Sequence, residues 1–259
     1  MLRRFVIASF LVQFVGGATA DAADVKVLSA VGMREVMLDL APKFERATGH
    51  PLAMSFDASG VIVRRIEAGE TVDVIMILRS SFERLTQAGK IAPASVTDLA
   101  SSIAAVAVRH GAPKPDISSV EAFKRMLLDA RLIARPNPAD GGASGVHIEQ
   151  VLKRLAILDE VNAKTVAYGQ PRDPEAMPGY KVAVGRADLA LHQLQELLAV
   201  HGIDIVGPFP KELQGTFLFS AGIITSAKDV AAAKALVNFL RTPDATAVIR
   251  AKGMEPASR

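Results

Sequence analysis

Apolar positions along this chain fall into short runs that switch between two periods. Residues 25–28 (Val-Lys-Val-Leu) read as a strand, and 33–48 carries apolar residues at helical spacing until Gly49 stops it. The same alternation continues with a strand at 52–56 and a helix at 60–68 ended by Gly69. A continuously apolar strand follows at 72–78, then a helix at 82–88 ended by Gly89. An uninterrupted apolar strand such as 72–78 is what a parallel strand covered by helices on both faces requires.

Further along, the pattern predicts strands at 103–108, 132–134, 161–166, 189–192, 203–206 and 217–225. Helices are predicted at 120–129, 144–155, 179–184, 193–199, 230–240 and 243–251. Alternating strands and helices of this kind give an α/β fold with a largely parallel sheet.

The first residues follow a different rule. Arg3 and Arg4 precede an apolar run too short to span a bilayer, and small residues around Ala18, Ala20 and Ala22 suit a cleavage site. Residues 1–22 are therefore expected to be a secretory signal peptide. With no cysteine in the chain, lipid attachment, disulfides and thiolate metal sites are all excluded, so an unlipidated periplasmic protein is expected. The formal net charge of +3 includes the two arginines of the leader, which leaves the mature chain nearly neutral and gives no reason to expect nucleic acid. No later stretch is apolar enough for stable membrane insertion. Two Tyr and no Trp argue against a sugar site built on stacked rings.

Three segments share a design in which a strand leads through a tight turn of small residues into a helix. They are Ser29-Ala30-Val31-Gly32, Asp57-Ala58-Ser59-Gly60 and Gly141-Gly142-Ala143-Ser144-Gly145. First-turn amides have no internal acceptor and point outward at the positive end of the helix dipole, so such turns can cradle an anion without a lysine. The same residues serve equally as ordinary caps and turns. The glycine-rich loop lacks the Gly-Lys-Ser/Thr of a phosphate-binding loop, and Val146 stands where a nucleophile elbow needs its last glycine. The five histidines show no metal-ligand spacing, so neither a metal nor another cofactor is expected. His147 and His192 lie beside the glycine loop and at a strand end. Arg79, at the exit of the strand at 72–78, is the candidate cation for a ligand carboxylate. Asp57 is expected to cap the helix after it.

Several stretches resemble the molybdate-binding periplasmic proteins of ABC importers, within the bacterial extracellular solute-binding proteins. They include Phe44-Glu45-Arg46-Ala47-Thr48-Gly49, Ser55-Phe56-Asp57-Ala58-Ser59-Gly60, Ile66-Glu67-Ala68-Gly69 with Asp73-Val74, and Ala187-Asp188-Leu189-Ala190-Leu191. The resemblance implies the type II periplasmic binding fold, with two α/β lobes joined by two crossover strands and a ligand cleft between them. The lobes would be 23–105 plus 214–259, and 106–213. It further implies a monomer that hands a small anionic ligand to an inner-membrane ABC permease, and no enzymatic activity. Carried over by position, one ligand serine matches Ser59 and the second-lobe amide site matches Ser144 and Gly145. The other serine position holds Gly32, with Ser29 close by, and the tyrosine position holds Gln193. A further backbone contact maps near Glu175–Met177. Two hydroxyls are thus absent, and Arg79, Gln193 or His192 is expected to replace them around a molybdate-like oxyanion or small organic anion. Two alternatives remain at this level. One is a secreted serine hydrolase using Ser144 or Ser59 with His147 or His192, and the other is a ligand-binding sensor.

Overall fold

A computed structural model describes residues 24–168 and 173–258, so the expected signal peptide at 1–22 lies outside the described residues. Strand β1 (Val25–Ala30) leads through a 3-10 turn to α1 (Arg34–Thr48), and β2 (Leu52–Asp57) leads to α2 (Ser59–Glu67). Next come β3 (Val74–Leu78), α3 (Phe82–Gln87) and the long β4 (Thr97–Arg109). The middle of the chain supplies α4 (Val120–Asp129), β5 (Ile133–Ala134), α5 (Ala143–Arg154), α6 (Leu158–Ala163) and α7 (Pro178–Ala183). It continues through β6 (Leu189–Gln193), α8 (Leu194–Leu198) and β7 (Ile203–Pro208), and β8 (Thr216–Ile223) brings it back. The chain closes with α9 (Val230–Phe239), α10 (Pro243–Ala251) and β9 (Glu255–Pro256).

The strands lie in the order β2-β1-β3-β8-β4-β6-β5, with β7 and β9 also on β4. β1 pairs in parallel with β2 and β3, while β8 runs antiparallel to β3 and to β4. Both faces of the parallel part are buried. Val25, Val27, Val74 and Met76 face α1, α9 and α10, and Leu28, Ile75 and Ile77 face Ile62, Ile66 and Phe82 from α2 and α3. A strand puts successive side chains on opposite faces, so residues that must be dry on both become an unbroken apolar run.

The 13-residue β4 holds the molecule together. Its first half, up to Ile103, pairs with β8, and from Ala104 onward it pairs with β6 and β7. At that change of partner Gln214 closes the backbone. Its side-chain amide accepts from the Ala104 N–H at 2.9 Å and donates to the Ala104 carbonyl at 3.0 Å. Two strands, β4 and β8, therefore carry the chain between the halves.

The structure departs from expectation in four places. The sheet is mixed rather than largely parallel, because β8 runs antiparallel to β3 and β4, and β4 runs antiparallel to β6, β7 and β9. The first half of the strand expected at 161–166 is the end of helix α6, with Val161 fully buried, and beyond it only Thr165 bridges to Ile133. β4 starts six residues early because the polar residues Asp98, Ser101 and Ser102 interrupt the apolar pattern of its first half. Asp57 does not cap α2, whose N-cap is Ala58. Its carboxylate instead accepts from the Ala58 N–H and pairs with Arg65 at 3.3 Å.

Phe44 is fully buried under α1 and meets Phe239 edge-to-face at 5.5 Å. Phe44→Ala is expected to cost about 3–5 kcal/mol, read as a lower midpoint in urea unfolding with unchanged m-value.

Candidate functional site

The three small-residue turns end up in different situations. The starts of α2 and α5 meet face to face across the space between the two halves, and neither has a side-chain cap on its amides. The N–H of Gly60 donates to the Gly141 carbonyl at 3.2 Å, directly from one half to the other. A Cβ on Gly60 would lie 2.7 Å from the Asp140 carbonyl oxygen, and Gly141 adopts φ +68°, which disfavours any other residue. The two glycines are therefore a backbone clasp at the rim of the cleft.

Behind the clasp lies a cavity with about 690 Å³ of empty space, open solvent at its mouth included. Ser59, Ser144, His192 and Gln193, all singled out in the sequence, line it together with Gly32. Ser59 is already engaged, because its Oγ accepts from the Leu78 N–H at 3.2 Å. Ser29 is buried outside the lining, its hydroxyl donating to the Ala30 carbonyl. Gly145 packs behind the cavity, where a Cβ would lie 3.0 Å from the Asn137 carbonyl oxygen. Glu175 is not in the lining, while Ala176 and Met177 are. Arg79 must be corrected. It leaves β3 on a 3-10 turn, is half exposed, pairs with Asp98 at 3.5 Å and does not line the cavity.

The absence of a serine at Gly32 has a steric cause. A Cβ there would meet the Phe219 ring at 2.7 Å and the side-chain amides of Gln193 and Gln195 at 3.2 Å. These two glutamines form a chain of polar contacts. The Ser102 hydroxyl of β4 donates to Gln195 Oε1, Gln195 Nε2 reaches the Gly32 carbonyl and Gln193 Oε1, and Gln193 Nε2 donates to Glu196 Oε1 at 2.6 Å. The first turn is thus filled by the protein's own amides rather than left open.

Four charged residues of the cavity went unrecognised in the sequence, Asp140, Asp173, Arg135 and Glu196, and the last two are buried. Arg135, just after β5, is only 3% exposed. Its Nε donates to Thr165 Oγ1, one Nη donates to Asn162 Oδ1, and the guanidinium stacks over Tyr168 with 5.5 Å to the ring centroid. Its Nη1 is buried without an acceptor, and no carboxylate pairs with it among the described residues. Burial lowers its pKa, but a guanidinium remains charged. An arginine at the carboxyl end of a strand, entering a Pro-Asn-Pro loop, was the signal available.

The second is Glu196 in the first turn of α8, 5% exposed. Burial pushes its carboxyl from 4.5 up to about 8, eased by Arg34 and reinforced by Glu35. Burial alone pulls the neighbouring His192 down to about 3. His192 Nδ1 lies 3.4 Å from Glu196 Oε1, but both groups are neutral near pH 7, so the pair is not an ion pair. Nδ1 accepts from the Gln193 N–H at 2.8 Å, which places the imidazole proton on Nε2. Ser144 Oγ approaches the same nitrogen at 3.4 Å. With that nitrogen already engaged and no carboxylate on the other, Ser144 and His192 do not form a nucleophile relay. His147 is spent elsewhere, its Nε2 on the Leu213 carbonyl at 2.9 Å. No cluster of metal-ligating side chains exists among the described residues.

Comparison with known proteins places these residues in context. Residues 25–255 match the family of bacterial extracellular solute-binding proteins. The chain is 35% identical to an aconitate isomerase from Pseudomonas sp. over 92% of this chain and 90% of that one. It is 30% identical to the molybdate-binding protein ModA of Azotobacter vinelandii, over 90% of each chain. Among solved structures, the periplasmic molybdate-binding protein of Azotobacter vinelandii superposes with a TM-score of 0.72 at 24% identity, over 91% of this chain and 100% of that one. That superposition identifies the mixed sheet with flanking helices as the type II periplasmic binding fold.

Because the unfolded Glu196 ionises near 4.5 and the folded one near 8, its stabilising contribution is complete below 4.5 and is lost as pH rises through 8. Glu196→Gln is therefore expected to melt close to the parent at pH 5 and higher at pH 8.5, by about 5 °C. Thermal melts at the two pH values, without added ligand, check this.

Proposed function

The chain belongs to the bacterial extracellular solute-binding proteins, and from that premise we propose that its cleft captures a small organic anion bearing carboxylates for an inner-membrane ABC permease. Arg135 carries the reading. A buried guanidinium whose Nη1 has no acceptor among the described residues is well matched to a planar carboxylate, which accepts two parallel N–H bonds. The starts of α2 and α5 add amides and the favourable ends of two helix dipoles. A bare tetrahedral oxyanion is the less suitable guest, because Gly32 and Gln193 supply no hydroxyl and the space at Gly32 is filled. Capture in this fold proceeds by closing the halves on β4 and β8, the Gly60–Gly141 clasp marking the closed state. Among the described residues no helix is long and apolar enough to cross a membrane.

A second reading is that the cleft also isomerises its guest. A relative of 35% identity is an aconitate isomerase, and the cavity that holds Arg135 also holds Glu196, an ionisable carboxyl with no lysine or arginine salt bridge among the described residues. Proton transfer within a bound unsaturated tricarboxylate needs those two elements, a cation to fix one carboxylate and a base beside the carbon chain.

Calorimetry on the mature protein separates the guests. Citrate, succinate and aconitate are expected to bind more tightly than molybdate, sulfate or phosphate, and Arg135→Ala is expected to weaken the best carboxylate by about 100-fold. A preference for molybdate that survives Arg135→Ala would refute the carboxylate assignment.

A further inference from the structure

The Glu196 carboxyl is held in an unusual way. Oε1 is fixed by Gln193 Nε2 at 2.6 Å, and Gln193 is itself held by Gln195, whose Oε1 takes the Ser102 hydroxyl of β4. No hydrogen bond engages Oε2 among the described residues, and Glu196 lines the same cavity as Arg135. The charged and titratable groups around it are few. His192 faces it from β6, Arg34 and Glu35 act on it from α1, and Arg135, Asp140 and Asp173 line the rest of the cavity. Among the described basic residues only His192 comes within 4 Å, and its near nitrogen already accepts a backbone N–H. One oxygen is anchored, the other is open, and a cation for the substrate's carboxylate sits in the same cavity. A purely structural carboxyl has no need of that arrangement, and a proton-transferring one does.

We propose that Glu196 is a catalytic residue of this cleft, the base and then the acid of a 1,3-proton shift in an unsaturated polycarboxylate held through Arg135. The assignment rests on the isomerase reading above. Ionised Glu196 takes a proton from the methylene that lies between a carboxylate and the carbon–carbon double bond. The C–H bond breaks, and its electron pair enters a dienolate spread over the allylic unit and the carboxylate. Neutral Glu196 then gives the proton to the far allylic carbon. The double bond has moved by one position, and nothing is oxidised or reduced. Arg135 offsets the charge that grows on the carboxylate during the transfer. The neutral His192 beside Glu196 keeps a second cation from trapping the base in its ionised, weakly basic form. Burial holds Glu196 mostly protonated near pH 7, so the active fraction grows as pH rises through about 8.

The test uses the mature protein with cis- and trans-aconitate in deuterated water, followed by proton NMR, with affinities measured by calorimetry. The parent is expected to interconvert the isomers and wash deuterium into the methylene, with kcat/KM rising to a plateau above about pH 8. Glu196→Gln, which keeps the shape and neutral hydrogen bonding, is expected to lose turnover by about 1,000-fold with affinity changed less than threefold. Glu196→Asp is expected to retain part of the activity, because it keeps the proton-transferring group and only shortens its reach. Turnover that survives Glu196→Gln would overturn the assignment while leaving the isomerase reading standing. Tight binding by the parent with no turnover and no exchange would overturn both, and would leave only capture of the carboxylate.

Discussion

Removing a charge from water without an ion pair is among the most costly things a fold can do, and among the described residues Arg135 forms none. The guanidinium is held by Thr165, Asn162 and the face of Tyr168, Glu149 acts on it only through space, and its Nη1 is buried with no acceptor among the described residues. A buried cation of this kind costs several kcal/mol unless an anion arrives to share it. Two further carboxylates, Asp140 and Asp173, line the same cavity, and burial raises the pKa of Asp140. Glu196 and His192 are kept neutral by burial, and Asp57 is tied to Arg65. The two helix starts add fixed positive ends without adding a titratable group.

The same cavity depends on how its walls are joined. β4 runs unbroken through both halves and changes partners between Ile103 and Ala104, where Gln214 takes over both backbone groups of Ala104. At the opposite side, Gly60 and Gly141 touch backbone to backbone, which is possible only because neither has a side chain. The hinge strands and the glycine clasp enclose the polar chain from Ser102 through Gln195 and Gln193 to Glu196. A guest therefore meets a site whose donors are already oriented before it enters.

Much of this was legible in the residues, and the part that was not has one cause. Strands buried on both faces announce themselves as continuous apolar runs, and glycines such as Gly49, Gly69 and Gly89 mark helix ends, so the α/β architecture could be read directly. Ser59, Ser144, His192 and Gln193 could also be found, because each stands where a strand hands over to a helix. Arg135 and Glu196 could not. A charged residue beside a proline-rich loop, or on a short helix among leucines, looks solvated until tertiary packing closes over it. Arg79 erred in the opposite sense, since it also follows a strand but finds Asp98 and water instead of the cavity. The stretch at 161–166 misled because β-branched residues at a helix end imitate a strand.

The most direct test of the central claim is a crystal structure of the protein with a bound di- or tricarboxylate. The account predicts one carboxylate of the guest within about 3 Å of Arg135 Nη1, facing the first turns of α2 and α5. A guest bound at the helix starts while Arg135 keeps only Thr165 and Asn162 would contradict it.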